Sequence, residues 1–485
     1  MSKHSTLPLI AAALLVGGCT LIPDYQKPAS PVPERVGESP FSADQVVLPG
    51  WRAMFAEPEL QQLIQTALTN NRDLRLAMLD VAAARAQYQI EGSALLPGVS
   101  VDGSGTRQRT PGDLSYSGES TINSEYRAQV GITSYELDLF GRVRSLKQSA
   151  LESYLATVEA QRAAHITLVS EVANAYLALL ADRQRLHIAE DTLNAQQESL
   201  QLTQSRFDLG LGSELDVRQA QIALETARAN RASFLRQVAQ DKNALAMMVG
   251  APLPALAGDD LTGPGLAVLP EPPAGLSSQV LLQRPDLLQA EHNLKAANAN
   301  IGAARAAFFP RISLTGAYGS ASSELSGLFD GGSEAWSFSP SVSLPIFTGG
   351  SNKANLDLAK VRRDQNVARY ESTIQTAFRE VADALDSVDA LKQQEQAQSA
   401  LVEATQRSVE LSEQRYQQGA DDYLAVLDAR RELLSARQNL VAVTLQKLNN
   451  RIGLYRALGG GGLPDQPTVI GRTDTPAKPA AAPQS

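Results

Sequence analysis

From residue 142 to 209 the chain carries neither glycine nor proline. Apolar side chains recur there every seventh residue, at Leu151, Val158, Val172, Leu179, Leu186, Leu193, Leu200 and Phe207, with His165 the one polar member of the stripe. A strict heptad keeps one seam turned to a partner helix and implies a left-handed supercoil. One helix over this run would be roughly 100 Å long, where an ordinary globular helix has about 11–12 residues. Leu209-Gly210-Leu211-Gly212 breaks the pattern, and a second run free of both breakers extends from 213 to 249. Together they predict an αα-hairpin, a rod turned back on itself.

The pattern returns 209 residues further on. Val367, Ile374, Val381, Val388, Val402, Val409 and Tyr416 hold the positions of the first stripe, and Glu395 is its polar member. Arg415-Tyr416-Gln417-Gln418-Gly419 aligns without a gap on Arg206-Phe207-Asp208-Leu209-Gly210. In the return helices Val217, Leu224, Val238 and Leu245 match Val426, Leu433, Lys447 and Leu454. Self-similarity at one fixed offset over this length means two copies of one structural unit.

Ahead of each rod the period changes from seven to two. Val99 and Val101 oppose Ser100, Asp102 and Ser104, and a run from 126 to 140 sets Tyr126, Ala128, Val130 and Ile132 against Arg127, Gln129 and Thr133. In the second copy Ile312, Leu314 and Tyr318 oppose Arg311, Ser313 and Thr315, and Trp336, Phe338, Val342 and Leu344 alternate with Ser337, Ser339, Ser341 and Ser343. Apolar residues on one face and small polar ones on the other predict either a membrane barrel wall with a wet lumen or soluble hairpins packed on the helices. Pro340 and Pro345 count against a regular central strand. Four strands cannot close a membrane barrel, and open edges are not viable in lipid, so on the barrel reading several copies must share one. A filled interior is expected at eight strands, so a conducting lumen requires at least three chains. The count therefore predicts a homotrimer, mainly α with membrane β, holding a 12-stranded β-barrel continuous with a ring of twelve helices.

The expected order is a lipoprotein signal peptide at 1–18, a lipid-anchored tether with equatorial helices at 19–93, and a first β-hairpin at 94–140. A helical hairpin follows at 141–250, then a connector with an equatorial helix at 251–305. The second β-hairpin is at 306–350, its helical hairpin at 351–458 and a flexible tail at 459–485. Residues 23–50 and 250–285 are proline-rich and read as extended tether and irregular connector.

The N-terminus narrows the compartment. A short apolar run from 7 to 16 leads into Val16-Gly17-Gly18-Cys19, which resembles a bacterial lipoprotein cleavage box. Its chemistry needs small residues before a cysteine whose thiol takes the lipid, here a diacylglycerol thioether joined by an N-acyl chain. The alternative is a plain signal peptide and an incidental cysteine. Cys19 is the single cysteine of the chain, which excludes a disulfide within one protomer. Thr20 in place of an aspartate favours the outer membrane under the sorting rule of such boxes.

Net charge is −9 with 20% charged residues, which leaves no basic footprint for nucleic acid. No run of 18 or more apolar residues follows the N-terminus, so no membrane-spanning helix is expected, a statement that does not reach barrel strands. Metal, nucleophile and phosphate-loop motifs are all lacking, and His165 reads as a polar residue tolerated in a helical seam. Neither an enzyme nor a bound metal or cofactor is expected.

These pieces together resemble the TolC-type outer membrane efflux proteins, most closely their OprM-like lipoprotein branch. The resemblance rests on the cleavage box, Leu137-Asp138-Leu139-Phe140-Gly141-Arg142, Ala303-Ala304-Arg305-Ala306-Ala307-Phe308-Phe309-Pro310, Leu344-Pro345-Ile346-Phe347 and the paired Arg-aromatic-x-x-Gly tips. It implies a passive trimer whose α-barrel stands in the periplasm. Through a periplasmic adaptor, a membrane fusion protein, the trimer docks onto an inner-membrane RND-type pump that exports drugs and solvents. It also implies a periplasmic gate at the positions of Leu424, Asp428 and Arg431, with Asp216 in the first copy, and adaptor contacts at Gly210, Leu211, Gly419 and Ala420. Taken alone, Asp428 and Arg431 are also an ordinary exposed i,i+3 pair, and each tip glycine also simply ends a helix. Asp421 and Asp422 stand where some members carry arginine, which departs from the family's link network. A type I protein-secretion channel and a non-conducting, lipid-anchored coiled-coil scaffold are the rival readings.

Overall fold

The computed structural model describes residues 20–33, 35–36, 46–48, 50–116, 118–257, 261, 276–460 and 468–470. The expected signal peptide and Cys19 lie outside the described residues. Seven helices carry most of the chain: α1 (Pro58–Asn70), α2 (Arg72–Ser93), α3 (Arg142–Asp208), α4 (Glu214–Val249), α5 (Pro285–Ala306), α6 (Ser351–Gln417) and α7 (Tyr423–Ala457). Four long strands precede the two rods: β1 (Val99–Thr110), β2 (Thr121–Leu137), β3 (Arg311–Ser322) and β4 (Glu334–Ser343). Helices α3 and α6 both have 67 residues and start 209 positions apart, so the repeat in sequence is a repeat in structure. The chain divides into two compact units, one of residues 1–29, 79–158 and 289–371, the other of 30–78, 159–288 and 372–485.

The first unit holds the sheet, an antiparallel meander in the order β1-β2-β3-β4. Its ladders align the two faces. Val101, Val130, Tyr318 and Trp336 form one cross-strand row, and Ser100, Gly131, Ala317 and Ser337 the next row on the opposite face. The apolar side is open: Val101 is 80% exposed, Trp336 74% and Val342 68%. A register shift between Ile132 and Tyr135 marks a bulge, where Ser134 takes a positive φ of 52° and its N–H donates to Thr315 at 3.2 Å. Strand β2 starts at Thr121, ahead of the expected 126, because residues 121–124 pair with the end of β1. Pro340 lies in β4, an edge strand of this chain's sheet, where a missing N–H is tolerated.

The turn from β2 into α3 explains the Leu-Asp-Leu-Phe-Gly-Arg motif. Asp138 accepts from the Val143 and Arg144 N–H groups at 3.1 and 2.9 Å, satisfying the helix start, and Glu136 takes both nitrogens of Arg142 at 2.8 Å. Phe140 stacks on Phe309 with centroids 4.8 Å apart.

The N-terminal segment is not a free tether. Its start lies along α5: Asn298 donates to the Pro23 carbonyl at 2.7 Å, Arg305 to that of Leu21 at 3.1 Å, and Lys27 pairs with Glu291 at 2.9 Å. Gly302 admits the segment, since a Cβ there would sit 2.7 Å from the Ile22 side chain. Further on, Arg35–Val36 pairs with Leu276–Ser277 and Val46–Leu48 with Thr468–Ile470. Connector and tail, both read as irregular, thus each hold a short ladder that satisfies backbone groups.

The second unit is built round the middle of α3. Val169, Val172, Tyr176, Leu179 and Leu180 are almost wholly buried among Trp51, Phe55, Leu60 and Ile64 and the α7 residues Leu448, Ile452 and Tyr455. This burial explains a stretch of α3 that is apolar enough over 18 residues to pass for a membrane span, half of it buried. Asn71 locks the break between α1 and α2, accepting from the Leu74 N–H at 2.9 Å and donating to the Met248 carbonyl at 2.8 Å. Buried Arg284 donates to the Ala457 carbonyl at the end of α7 and pairs with Asp286 and Glu380 at 2.6 and 2.8 Å. His165 is part-buried in the seam, and that burial lowers its pKa, as befits a neutral core imidazole.

Candidate functional site

The far ends of the two helical hairpins repeat one device. In α3 the Gly210 N–H donates to Phe207 at 2.9 Å and the Leu211 N–H to Arg206 at 2.8 Å, with Gly210 at φ 72°. In α6 the Gly419 N–H donates to Tyr416 at 3.0 Å and the Ala420 N–H to Arg415 at 2.9 Å, with Gly419 at φ 74°. Both are Schellman closures, and the left-handed residue has to be glycine to avoid strain. Leu211 is 65% exposed at the turn.

The starts of the return helices differ. Ser213 and Asp216 form a capping box, Asp216 accepting from the Ser213 N–H at 3.0 Å. The Asp216 carboxylate, expected at a gate, is therefore engaged with its own helix start. In the second tip Asp422 caps α7 at 3.3 Å, and Asp421 clamps Arg415 with contacts of 2.5 and 2.7 Å. The bonds from Arg415 hold the Asp421 carboxyl below the usual carboxylate range. The two aspartates that depart from the family pattern thus have local work. Gly212 stands where the second copy has Asp421, and Arg206 lies over the Tyr416 ring, 4.8 Å from its centroid.

The three other gate candidates sit on one stretch of α7. Asp428 and Arg431 form an i,i+3 ion pair with side chains 50% and 76% exposed, and Leu424 is 48% exposed. Leu424 and Arg431 line a groove of about 410 Å³ with Leu427 and Leu434, facing Ile222 and Thr226 of α4.

The closest links between the two copies at this end involve residues that the sequence reading passed over. Tyr423, 1% exposed, shares a 2.8 Å hydrogen bond between its hydroxyl and that of buried Ser199 on α3. Arg430 pairs with Glu413 at 2.6 Å and reaches the Ala195 carbonyl at 3.2 Å. Tyr416, Tyr423, Val426 and Ala220 close a small core around them. A signal was present in the repeat: Tyr423 and Arg430 fall where the first copy has Glu214 and Gln221, so the copies differ where one docks on the other.

The chain has a sheet with one exposed apolar face and two helical hairpins with matching glycine tips, and among the described residues no group of acidic, histidine or cysteine side chains is disposed to hold a metal ion. The family model described as outer membrane efflux protein matches residues 63–251 and 276–460, one match per repeat. The chain is 50% identical to the antibiotic efflux pump outer membrane protein ArpC of Pseudomonas putida over 466 residues, covering 94% of this chain and 96% of that one. It is equally similar, over the same spans, to the toluene efflux pump outer membrane protein TtgC of Pseudomonas putida. The open-state outer membrane channel MtrE of Neisseria gonorrhoeae superposes with a TM-score of 0.82 at 41% identity, over 93% of this chain and all of that one. With both repeats matched and near-full coverage at half identity, the chain belongs to the outer membrane efflux protein family.

Proposed function

We propose that the chain is the passive exit channel of a tripartite efflux pump, exporting small toxic compounds such as antibiotics and aromatic solvents across the outer membrane. It performs no catalysis and supplies no energy. Three copies form the channel, each contributing four strands to one barrel and two helical hairpins to the periplasmic part. Lipid on Cys19 anchors each copy. The tips hold the channel shut until a periplasmic adaptor and an inner-membrane pump engage them at the turns around Gly210, Leu211, Gly419 and Ala420.

The observation that carries this reading is the sheet. It has an apolar face that the chain leaves uncovered, an opposite face rich in serine, and two edge strands, β1 and β4, whose outer edges have no strand partner among the described residues. Lipid accepts the first face and water the second, but lipid does not accept the open edges, and in water they are a template for pairing with another chain. Closure by further copies resolves all three. The related pump components named above are outer-membrane proteins of antibiotic and toluene efflux, which supports the substrate class.

In the closed assembly Leu424, Asp428 and Arg431 would be tripled about the axis, and each Arg431 would offset the repulsion among three Asp428 carboxylates. Single-channel conductance in planar bilayers tests the reading. The wild type should show a small conductance, and Asp428→Ala with Arg431→Ala one severalfold larger. Equal, large conductances would move the gate elsewhere. No conductance from inserted trimers would leave only a lipid-anchored scaffold.

A further inference from the structure

The two open edges of the sheet are chemically complementary, and the complementarity selects one register. Both β-hairpin loops lie at the same end of the meander, so β1 runs towards that end and β4 away from it. On the apolar face β1 carries, towards the loops, Val99, Val101, Gly103, Gly105, Arg107 and Arg109. On the same face β4 carries, away from the loops, Glu334, Trp336, Phe338, Pro340 and Val342. The basic end of one edge and the acidic, aromatic end of the other therefore both lie towards the hairpin loops.

We propose that Arg109 and Arg107 on β1 of one copy pair with Glu334 and Trp336 on β4 of the next, and that these contacts set the register of the seam between copies. This rests on the reading that three copies close one barrel. In this register Phe338 faces Gly105, beside the ring of Tyr126 from the same copy as that glycine, Pro340 faces Gly103 and Val342 faces Val101. An aromatic ring over a strand glycine is a recognised stabilising pair, and an arginine over tryptophan is the strongest common cation–π contact. Slips of one residue are excluded, because they turn every apolar side chain into the lumen.

The register also closes geometrically. The row that starts at Val99 passes through Ile132, Gly316 and Phe338. It then re-enters β1 of the next copy at Gly105, six residues further along. Three copies accumulate a stagger of about 18 residues, which for twelve strands means a tilt of about 45°, inside the range of membrane barrels. The groups are pre-positioned within each copy. Tyr318 donates to Glu334 at 2.8 Å, and Ser120 accepts from Arg109 Nε at 2.9 Å. Pairing like edges about a two-fold would instead invert one copy, putting its hairpin loops at the opposite end of the wall. The contact is therefore head-to-tail, the kind that closes a ring.

Cysteine pairs on the serine face read the register directly. Directly opposed residues approach within disulfide reach, whereas those two positions away lie about 7–8 Å apart. Ser104→Cys with Ser339→Cys should cross-link neighbouring copies efficiently on mild oxidation, and Ser104→Cys with Ser337→Cys or Ser341→Cys should not. Preference for either of the latter pairs overturns the register while keeping the shared barrel. No cross-link from any pair, in protein shown to be trimeric, overturns the shared barrel itself. Arg109→Glu or Glu334→Arg alone should lower the recovered trimer about fivefold per seam by setting like charges together, and the double exchange should restore it. Failure of the double exchange to rescue overturns the charge pairing.

Discussion

Lys447 on α7 donates to Glu395 on α6, and Thr444 donates to the same carboxylate at 3.1 Å. Both charged side chains are 24% exposed. At the equivalent positions of the first copy, Leu186 and Val238 belong to one apolar cluster. One hairpin therefore holds a polar lock where the other holds a greasy contact. An α7 helix in the place of α4 in the first hairpin would bring Lys447 onto Leu186, and α4 in the place of α7 in the second would bring Val238 onto Glu395. The lock favours the native pairing of helices with near-identical heptads.

Lys447→Val alone should destabilise the fold by about 2 kcal/mol, because it strands a half-buried carboxylate. Adding Glu395→Leu, which rebuilds the pair of the first copy, should recover most of that loss. Thermal unfolding of the purified protein checks both. A double variant no more stable than the single one would mean that the pair does more than occupy its site.

A second buried charge predicts a dependence on pH. The Asp241 carboxyl on α4 is pushed up to about 6, first by burial and then by Asp182 on α3; Gln237 and Arg185 act in the opposite direction. Its ordinary value is 3.8, so between these two pH values the folded state holds the proton more tightly than the unfolded chain. Stability should fall as pH rises through that window and level off above it. Asp241→Asn should flatten this part of the profile. Unfolding midpoints measured from about pH 4 to pH 7 read the slope directly, and an unchanged slope in the variant would assign the dependence to other groups.

The heptads, the glycine tips and the alternating strands were legible in the sequence because each is a local periodicity that one element imposes on its own residues. Repetition at a fixed offset then identified the paired hairpins. The strand count carried the argument for several copies. Contacts between distant segments were not legible. Ser199 and Tyr423 are 224 positions apart, and nothing local marks either as a partner. The ladders of two or three residues at 35–36, 46–48, 276–277 and 468–470 are too short to carry a period, so proline content alone decided those stretches. Ser213-x-x-Asp216 is a local helix-start signature that the sequence reading passed over, and that role engages the carboxylate.

The lipid anchor proposed at Cys19 makes a separate prediction. Cys19→Ser should abolish incorporation of labelled fatty acid, since the chain has no other thiol. Each acyl chain contributes about 0.8 kcal/mol per buried methylene, a large share of the attachment of a lone chain but a small one once a barrel is inserted. The variant should therefore show slower trimer assembly and a near-normal conductance per assembled trimer. Undiminished labelling would refute the site.

The tip makes the sharpest prediction. Tyr423→Phe keeps the buried ring and removes only the hydroxyl that meets Ser199, at a cost of about 1 kcal/mol. If the contact exists only in the closed tip, the open fraction rises about fivefold, and mean conductance rises with it. Ser199→Ala should do the same. The double variant should add little to either single one, because both remove one shared bond. Arg430→Ala should have a larger effect, since it also leaves Glu413 and the Ala195 carbonyl without their guanidinium. Conductance of the four variants, beside Asp428→Ala with Arg431→Ala, separates two ways of holding the end shut. Large effects at Tyr423 and Arg430 with none at Asp428 and Arg431 would place the restraint in the packing of α7 on α3. The reverse would place it in a ring of charge on the axis.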